Sequence, residues 1–497
     1  MAWNPKKYPA NSLQEYTRNW VAKQFGPQHA TEIAQIMSQY LKYNGRRKPE
    51  MVDPNGIRTS TPYSLVDYQE FETVVADYNK LKDQTVKLSK KIPALYKDAF
   101  YQLVLHPVTA AANFNEMYLA SAKQKWYGNQ GRTSADDEAK KAEKLFAVDA
   151  QISKYYNDTL ANGKWNHMMD QTHIGYNNWQ QPPVDKLPNF IKINPVANAE
   201  MGVSVEGSTE YWPKATTEAV LPELTQYPKV GHYFEVFNRG LASFNYTAKA
   251  AEPWVRITPA SGTIDKQQRV WVNVDWTTAP KGVKRVPITI TGANGSTITI
   301  QAVVNNSKPI PTSGFVESNG YASMEAIHYS KLVDGSNVKW NILPDYGKTL
   351  SGIEATPITH PRIENPGGNS PHLEYEVNVA DTGKVKLLVY TAPSIDFTHE
   401  KGLWYAISID DEAPVKVNID PLIADPRRAN GVMEGNSANL IKVLSSDHYI
   451  SKPGKHTIKY WLVDPSVVLE KIVLDRGGVK PSYLGPPESY RVTATKK

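Results

Sequence analysis

The densest group of side chains able to do chemistry lies in one stretch, Trp165-Asn166-His167-Met168-Met169-Asp170-Gln171-Thr172-His173-Ile174-Gly175-Tyr176, running on to Trp179, Gln180 and Gln181. Imidazole and carboxylate suit several divalent ions, so His167, Asp170 and His173 form one conceivable ligand set. On a helix, however, His167 and Asp170 are neighbours while His173 is rotated well away, a poor geometry for a tetrahedral site. A second reading makes the stretch a polar junction where the chain leaves its last helix, with the histidines bonded to backbone carbonyls. A third makes it a surface that contacts sugar or borders another domain's active site, with His167, Asp170, His173, Tyr176 and Trp179 nearest the substrate.

Acid/base hydrolysis of a glycoside needs two carboxylates facing each other across a cleft. Asp410-Asp411-Glu412 offers adjacent carboxylates, but Ala413-Pro414 follows and the group reads as a hairpin turn, whose neighbouring side chains do not bracket a substrate. Glu325, Glu374 and Asp464 lie in or beside strands, and nothing in the sequence brings any two together. The chain has no P-loop, dinucleotide fingerprint, nucleophile elbow or zincin motif. It has no cysteine either, which excludes disulfides, thiolate nucleophiles and zinc-thiolate sites. No catalytic residue is assigned, and no cofactor or metal is expected. The 12 Trp and 28 Tyr raise a different chemistry, because aromatic faces stack on sugar faces. Tyr321, Trp340, Tyr346 and Trp404 are the carbohydrate-binding candidates, whereas Trp461 sits in an alternating strand that favours a core role.

The elements that must position these residues change character along the chain. At 497 residues, with 40% hydrophobic and 21% charged content, the protein needs about three packed cores. The net charge of +6 is small and scattered, so no nucleic-acid partner is implied, and no run is apolar enough to span a membrane. Arg46-Arg47-Lys48, the nearest thing to a basic cluster, follows a helix end where cations suit the dipole. Residues 1–183 read as an antiparallel helical bundle. Ser12-Leu13-Gln14-Glu15 has capping-box spacing, Asn44-Gly45 ends a second helix, Pro107 should kink a fourth, and Asn162-Gly163 stops a fifth. Beyond Pro182-Pro183 the period falls to two. Residues 190–306 read as an immunoglobulin-like β-sandwich with a hairpin around Asn294-Gly295, and 309–497 as a jelly-roll-like β-sandwich, joined by a linker at Asn305 to Pro309.

Four stretches carry a more specific resemblance: Tyr43-Asn44-Gly45-Arg46-Arg47-Lys48-Pro49-Glu50, Tyr101-Gln102-Leu103-Val104-Leu105-His106-Pro107, Gly163 to Tyr176, and Lys480-Pro481-Ser482-Tyr483-Leu484-Gly485-Pro486-Pro487-Glu488-Ser489. Together, and in this order, they resemble glycoside hydrolase family 115, the xylan α-1,2-glucuronidases that remove glucuronic acid or its 4-O-methyl ether. The resemblance implies the rear of that family's architecture, a helical part and β-sandwiches. The family's N-terminal α/β domain and catalytic barrel have no counterpart here, so no catalytic residue carries over. Met1-Ala2-Trp3-Asn4-Pro5 resembles text that follows the barrel, which would make Met1 an internal residue of a longer protein. The implied partners are glucuronoxylan or its oligosaccharides, the absent barrel and a second copy of the chain. The implied location is the periplasm or the cell exterior. The alternative is a stand-alone carbohydrate-binding or scaffold protein that uses its sandwich faces.

Overall fold

The structure, a computed structural model, describes residues 4, 6–9, 12–53, 61–177, 180–307, 311, 313–397, 402–421 and 439–493. Helices come first and β-sheets follow. Two compact units result: residues 1–58, 69–126 and 135–192 form one, and 59–68, 127–134 and 193–497 form the other.

In the helical unit the main helices are α1 (Leu13–Phe25), α2 (Ala30–Arg46), α3 (Glu70–Ser89), α4 (Lys97–Phe100), α5 (His106–Asn129) and α6 (Ala135–Asp158). Val21, Phe25, Ile33, Ile36, Leu81, Leu88, Phe100, Val104 and Val108 share one core, the stripe that a 3.6-residue period places inward. Two details differ from the sequence reading. Ser12 makes no cap: its hydroxyl donates to the Pro9 carbonyl at 2.7 Å instead. Helix α2 does not stop at Asn44-Gly45 but runs to Arg46, whose guanidinium pairs with Asp77 at 2.8 Å and lies over the Tyr43 ring at 4.3 Å. Those contacts outweigh the entropic penalty of about 1 kcal/mol for a helical glycine.

Pro107 brings a π-turn rather than a bare kink. Residues Tyr101–Leu105 form a π-helix directly before it, joining α4 to α5. A proline ring cannot take the ordinary i to i−4 bond and crowds the carbonyl one turn back, and the wider turn relieves both. Helix α6 buries few of its large apolar side chains; Asp149 and Tyr156 are buried while Tyr155 stays 43% exposed. After α6 the backbone reverses through Ala161, Asn162 and Gly163, all at positive φ, so the expected stop is present with two non-glycine residues in the left-handed region.

The β unit holds two pairs of sheets. In the first pair, one sheet orders Met201–Val205, His232–Asn238, Gln267–Val274 and Val255–Thr258. The other orders Ala219–Val220, Thr297–Asn306, Gly282–Thr291, Phe244–Ala250 and Ser261–Ile264. Alternation does the work: Ile298, Ile300, Ala302 and Val304 point inward from one strand, and meet Phe234, Val270 and Val272 from the facing sheet. The hairpin turns through Asn294 (φ 54°) and Gly295 (φ 73°), with Ser296 N–H donating to the Ala293 carbonyl at 2.9 Å, as a primed turn requires. Trp276 lies beyond the strand that ends at Val274, yet packs partly against the same core. Parallel pairing of Ala219–Val220 and Leu224–Thr225 with Thr297–Asn306 was not readable from alternation.

In the second pair, one sheet orders Val415–Asn418, Trp404–Ile409, Gly454–Leu462, His372–Val379, Gly314–Val316 and Arg491–Val492. The other orders Lys339–Leu343, Gly352–Thr356, Leu469–Asp475, Gly383–Thr391 and Lys442–Ile450. Their shared core includes Trp340, Leu373, Tyr375, Leu387, Tyr405, Tyr460 and Ile472. The two pairs belong to one compact unit. Bonds join them: Glu223 N–H to Asn319 Oδ1 at 2.8 Å, the Thr225 and Ser318 hydroxyls at 3.0 Å, and the Tyr227 and Tyr490 rings at 5.3 Å.

Candidate functional site

The stretch after α6 is laid along the helical unit and pinned at its middle by His173. Both ring nitrogens face acceptors: Nε2 lies 2.9 Å from Asp149 Oδ2 and Nδ1 lies 2.9 Å from the Gln171 carbonyl. Asp185 Oδ1 accepts the backbone N–H of His173 at 2.6 Å and of Ile174 at 2.7 Å, and the Tyr118 hydroxyl accepts Gly175 N–H at 3.0 Å. Farther on, Gln124 and Ile191 exchange a pair of bonds, at 2.8 and 3.1 Å. The hydrogen bond to Asp149, which outweighs the opposing effect of burial, pushes His173 up to about 9, so the ring is an imidazolium at neutral pH. The nearby His106 goes the other way, because burial lowers it more than Asp149 raises it.

The other described candidates of the stretch do not converge on His173. His167 is 80% exposed and bonds Asp170 at 2.6 Å, while Asp170 also accepts Asn157 Nδ2 at 2.7 Å. Tyr176 is half-buried, and Trp179 lies outside the described residues. The arrangement is a charge-paired clamp that holds an irregular segment to α6 rather than a ring of ligands around an ion. A raised histidine pKa has a definite sign: its stabilisation is complete below the ordinary value near 6.5 and is lost as pH rises through about 9. Thermal melting of the native chain should therefore lose about 0.5–1 kcal/mol between pH 6.5 and 9.5, a magnitude set by the partial exposure of the pair. His173→Gln should flatten that slope; an unchanged slope would remove the clamp's electrostatic role.

The β unit contains a stronger ion pair, which the sequence did not signal. Arg132 is fully buried, with Nη1 2.6 Å from Glu235 Oε2, Nε 2.5 Å from Gln130 Oε1 and Nη2 2.7 Å from Ser204 Oγ. The Tyr127 and Phe237 rings stack on its guanidinium at 4.4 and 4.0 Å. Glu235 also receives Arg269 at 3.0 Å. Burial alone would raise the Glu235 carboxyl, but Arg132 and Arg269 together hold it below the usual range. The network has no unsatisfied charge for a substrate to meet.

In the C-terminal sheets the carboxylates named from sequence are each occupied separately. The Asp410-Asp411-Glu412 turn does join two strands. Asp410 (φ 52°) bonds His456 Nδ1 at 2.6 Å and Glu412 bonds His448 Nδ1 closely. His448 Nε2 in turn meets Ser446 Oγ at 2.7 Å. A serine, histidine and carboxylate thus stand in line, but the His448 side chain has no exposure and Ser446 only 8%, so the line ties a strand to a turn. Glu374 pairs with His372 and Lys331, and Asp464 with Arg362 at 2.9 Å. Glu325 lies close enough to Glu470 for the two carboxylates to interact. Both are buried; Glu325 Oε1 accepts Thr349 Oγ1 at 2.6 Å and faces Lys471 Nζ at 3.4 Å, while its Oε2 has no hydrogen-bond partner among the described residues. Burial raises Glu470 despite Lys348 and Lys471, and their adjacency came from strand pairing that local pattern cannot encode.

Of the aromatic candidates, Trp340 is 8% exposed, donates Nε1–H to the Val333 carbonyl at 3.1 Å and packs on Tyr460. Tyr321 packs edge-on to Tyr68, and burial pushes its hydroxyl up to about 12. Trp404 is half-buried beside Ala406, Trp461 and Val463. Tyr346 is 53% exposed.

Comparison with curated proteins finds no match. The family described as Glycosyl hydrolase family 115 C-terminal domain matches residues 314–488, and that described as Glycosyl hydrolase family 115 matches residues 1–51. Among solved structures, a family 115 4-O-methyl-α-glucuronidase with specificity for decorated arabinogalactans is similar at 15% identity and a TM-score of 0.53. That likeness, one of fold, covers 95% of this chain and 43% of the other, so the chain spans less than half that protein's length. A C-terminal family 6 carbohydrate-binding module of a laminarinase from Zobellia galactanivorans is similar at 13% identity and a TM-score of 0.20, over 31% of this chain and 98% of the module. A family 35 carbohydrate-binding module from Clostridium thermocellum is similar at 13% identity and a TM-score of 0.21, over 31% of this chain and 97% of the module.

Proposed function

We propose that this chain, which belongs to glycoside hydrolase family 115, supplies the helical and β-sheet parts of an α-1,2-(4-O-methyl)glucuronidase acting on glucuronoxylan. In this reading the bond-cleaving carboxylates reside elsewhere, on a catalytic domain that these parts support. The carrying observation is the state of the carboxylates. Asp149, Glu235, Asp410, Glu412, Glu374 and Asp464 each answer a histidine, lysine or arginine, and Glu325 and Glu470 are sealed among Lys348 and Lys471. Glycoside cleavage asks for two carboxyl groups on opposite sides of an accessible sugar.

The helices fit an antiparallel bundle, the first sheet pair an immunoglobulin-like sandwich and the second a jelly-roll-like one. Substrate access and dimerisation are the roles this leaves for them, with the assembled enzyme working in the periplasm or outside the cell. The test is direct. Purified chain incubated with glucuronoxylan should release no 4-O-methylglucuronic acid above the rate of heat-inactivated protein. Turnover by this chain alone would sink the proposal.

A further inference from the structure

One face of the second sheet pair carries several polar side chains that have no hydrogen bond or ion pair among the described residues. Strands Lys339–Leu343 and Gly352–Thr356 are antiparallel, with Lys339 opposite Thr356, Trp340 opposite Ala355 and Asn341 opposite Glu354. Side chains alternate across a strand. Trp340, Ala355 and Ile353 therefore enter the core, where they are 8%, 1% and 0% exposed, and Lys339, Asn341, Glu354 and Thr356 share the outer face. Among the described residues Lys339–Leu343 is the edge strand of its sheet, so its outer edge is unpaired beside this face.

At one end of the face is an open groove of about 440 Å3 lined by Ser336, Asn337, Lys339, Asn341, Thr356 and Pro357. Asn341 bonds the Thr356 hydroxyl and so presents a fixed amide. The side chains of Ser336, Asn337 and Lys339 make no hydrogen bond or ion pair among the described residues, and all three are exposed. Glu354, half-buried and raised by that burial, has no side-chain partner among the described residues either. At the other end Tyr346 lies against Gly352, where an added Cβ would meet its Cδ1 at 3.2 Å. The missing side chain at Gly352 lets the ring lie low over the strand while staying 53% exposed. Four residues of extended chain separate Gly352 from Thr356, so ring and groove are about 13 Å apart.

We infer that this strip binds a short acidic oligosaccharide, with a sugar face stacked on Tyr346, hydroxyls bonded by Asn337, Asn341, Thr356 and Ser336, and a uronic acid carboxylate met by Lys339. The inference deepens the carbohydrate side of the proposed function. An apolar ring beside convergent polar groups is what sugar recognition asks for. The direction of the strip follows from charge: the Glu354 carboxylate repels an acid near Tyr346, which leaves the Lys339 end for it.

Isothermal titration calorimetry of the full chain against xylohexaose and against a 4-O-methylglucuronosyl xylotetraose tests it. The acidic sugar should bind several-fold more tightly than the neutral one at low salt, and that preference should shrink as salt screens Lys339. Tyr346→Ala should weaken both about tenfold, Tyr346→Phe should keep both, and Lys339→Gln should equalise the two. These side chains are exposed, so unchanged thermal melting checks that each variant folds. No heat with either sugar at millimolar concentration, or wild-type affinity in Tyr346→Ala, would overturn the strip. Uronic acid release reports on the enzyme reading separately, so the two failures are distinguishable.

Discussion

Replacing Arg132 with methionine is expected to cost the β unit about 3–5 kcal/mol, the usual penalty for removing one partner of a buried ion pair. Glu235 would keep its 3% exposure and lose its bond at 2.6 Å, with Arg269 as its remaining cation. Gln130 and Ser204 would each lose an acceptor's partner, and Tyr127 and Phe237 the cation between them. Domains hold only about 5–15 kcal/mol in total, so the variant should unfold at markedly lower urea. Pairing Arg132→Met with Glu235→Leu should recover most of the loss, because an apolar pair of similar volume strands no fully buried charge, Arg269 being 25% exposed and able to meet water. Urea denaturation followed by tryptophan fluorescence measures both; a single variant within about 0.5 kcal/mol of the native chain would show that the pair is energetically idle.

Trp340→Ala should be similarly damaging, by about 3–5 kcal/mol, for a different reason. The ring fills core between the C-terminal sheets against Tyr460, and its loss leaves a cavity as well as an orphaned Val333 carbonyl. Its signature separates it from Tyr346. Trp340→Ala should lower the melting temperature and weaken sugar binding only as far as the protein unfolds, whereas Tyr346→Ala should leave melting intact and weaken binding. A Trp340→Ala protein of native stability would place the ring outside the core.

That contrast shows what local pattern can and cannot carry. The period of two read beyond Pro182-Pro183 is the one that strands such as His372–Val379 and Trp404–Ile409 show, because one buried face imposes it. It could not rank Trp340 against Tyr346 as sugar candidates, since an aromatic looks the same in sequence whether its strand face is inside or outside. The helices were legible from their apolar stripes, yet Ser12 and Gly45 misled at the ends, where long-range contacts such as Arg46 with Asp77 decide. His173 was noticed, but its partner Asp149 lies 24 residues earlier, inside α6. Arg132 gave no signal at all, because nothing nearby in the chain marks it as buried.

Arg132 and Glu235 are separated by 103 residues. Synthesis runs from the N-terminus, so the guanidinium leaves the ribosome hydrated and must wait through that interval for its carboxylate. Closing so long a loop carries an entropic toll that grows only slowly with length, yet contacts of high sequence separation form late. The 127–134 segment is then the last-fitted piece of the β unit. Dissection follows the same logic: a recombinant fragment starting at residue 193 keeps every sheet strand but omits the cation they close around.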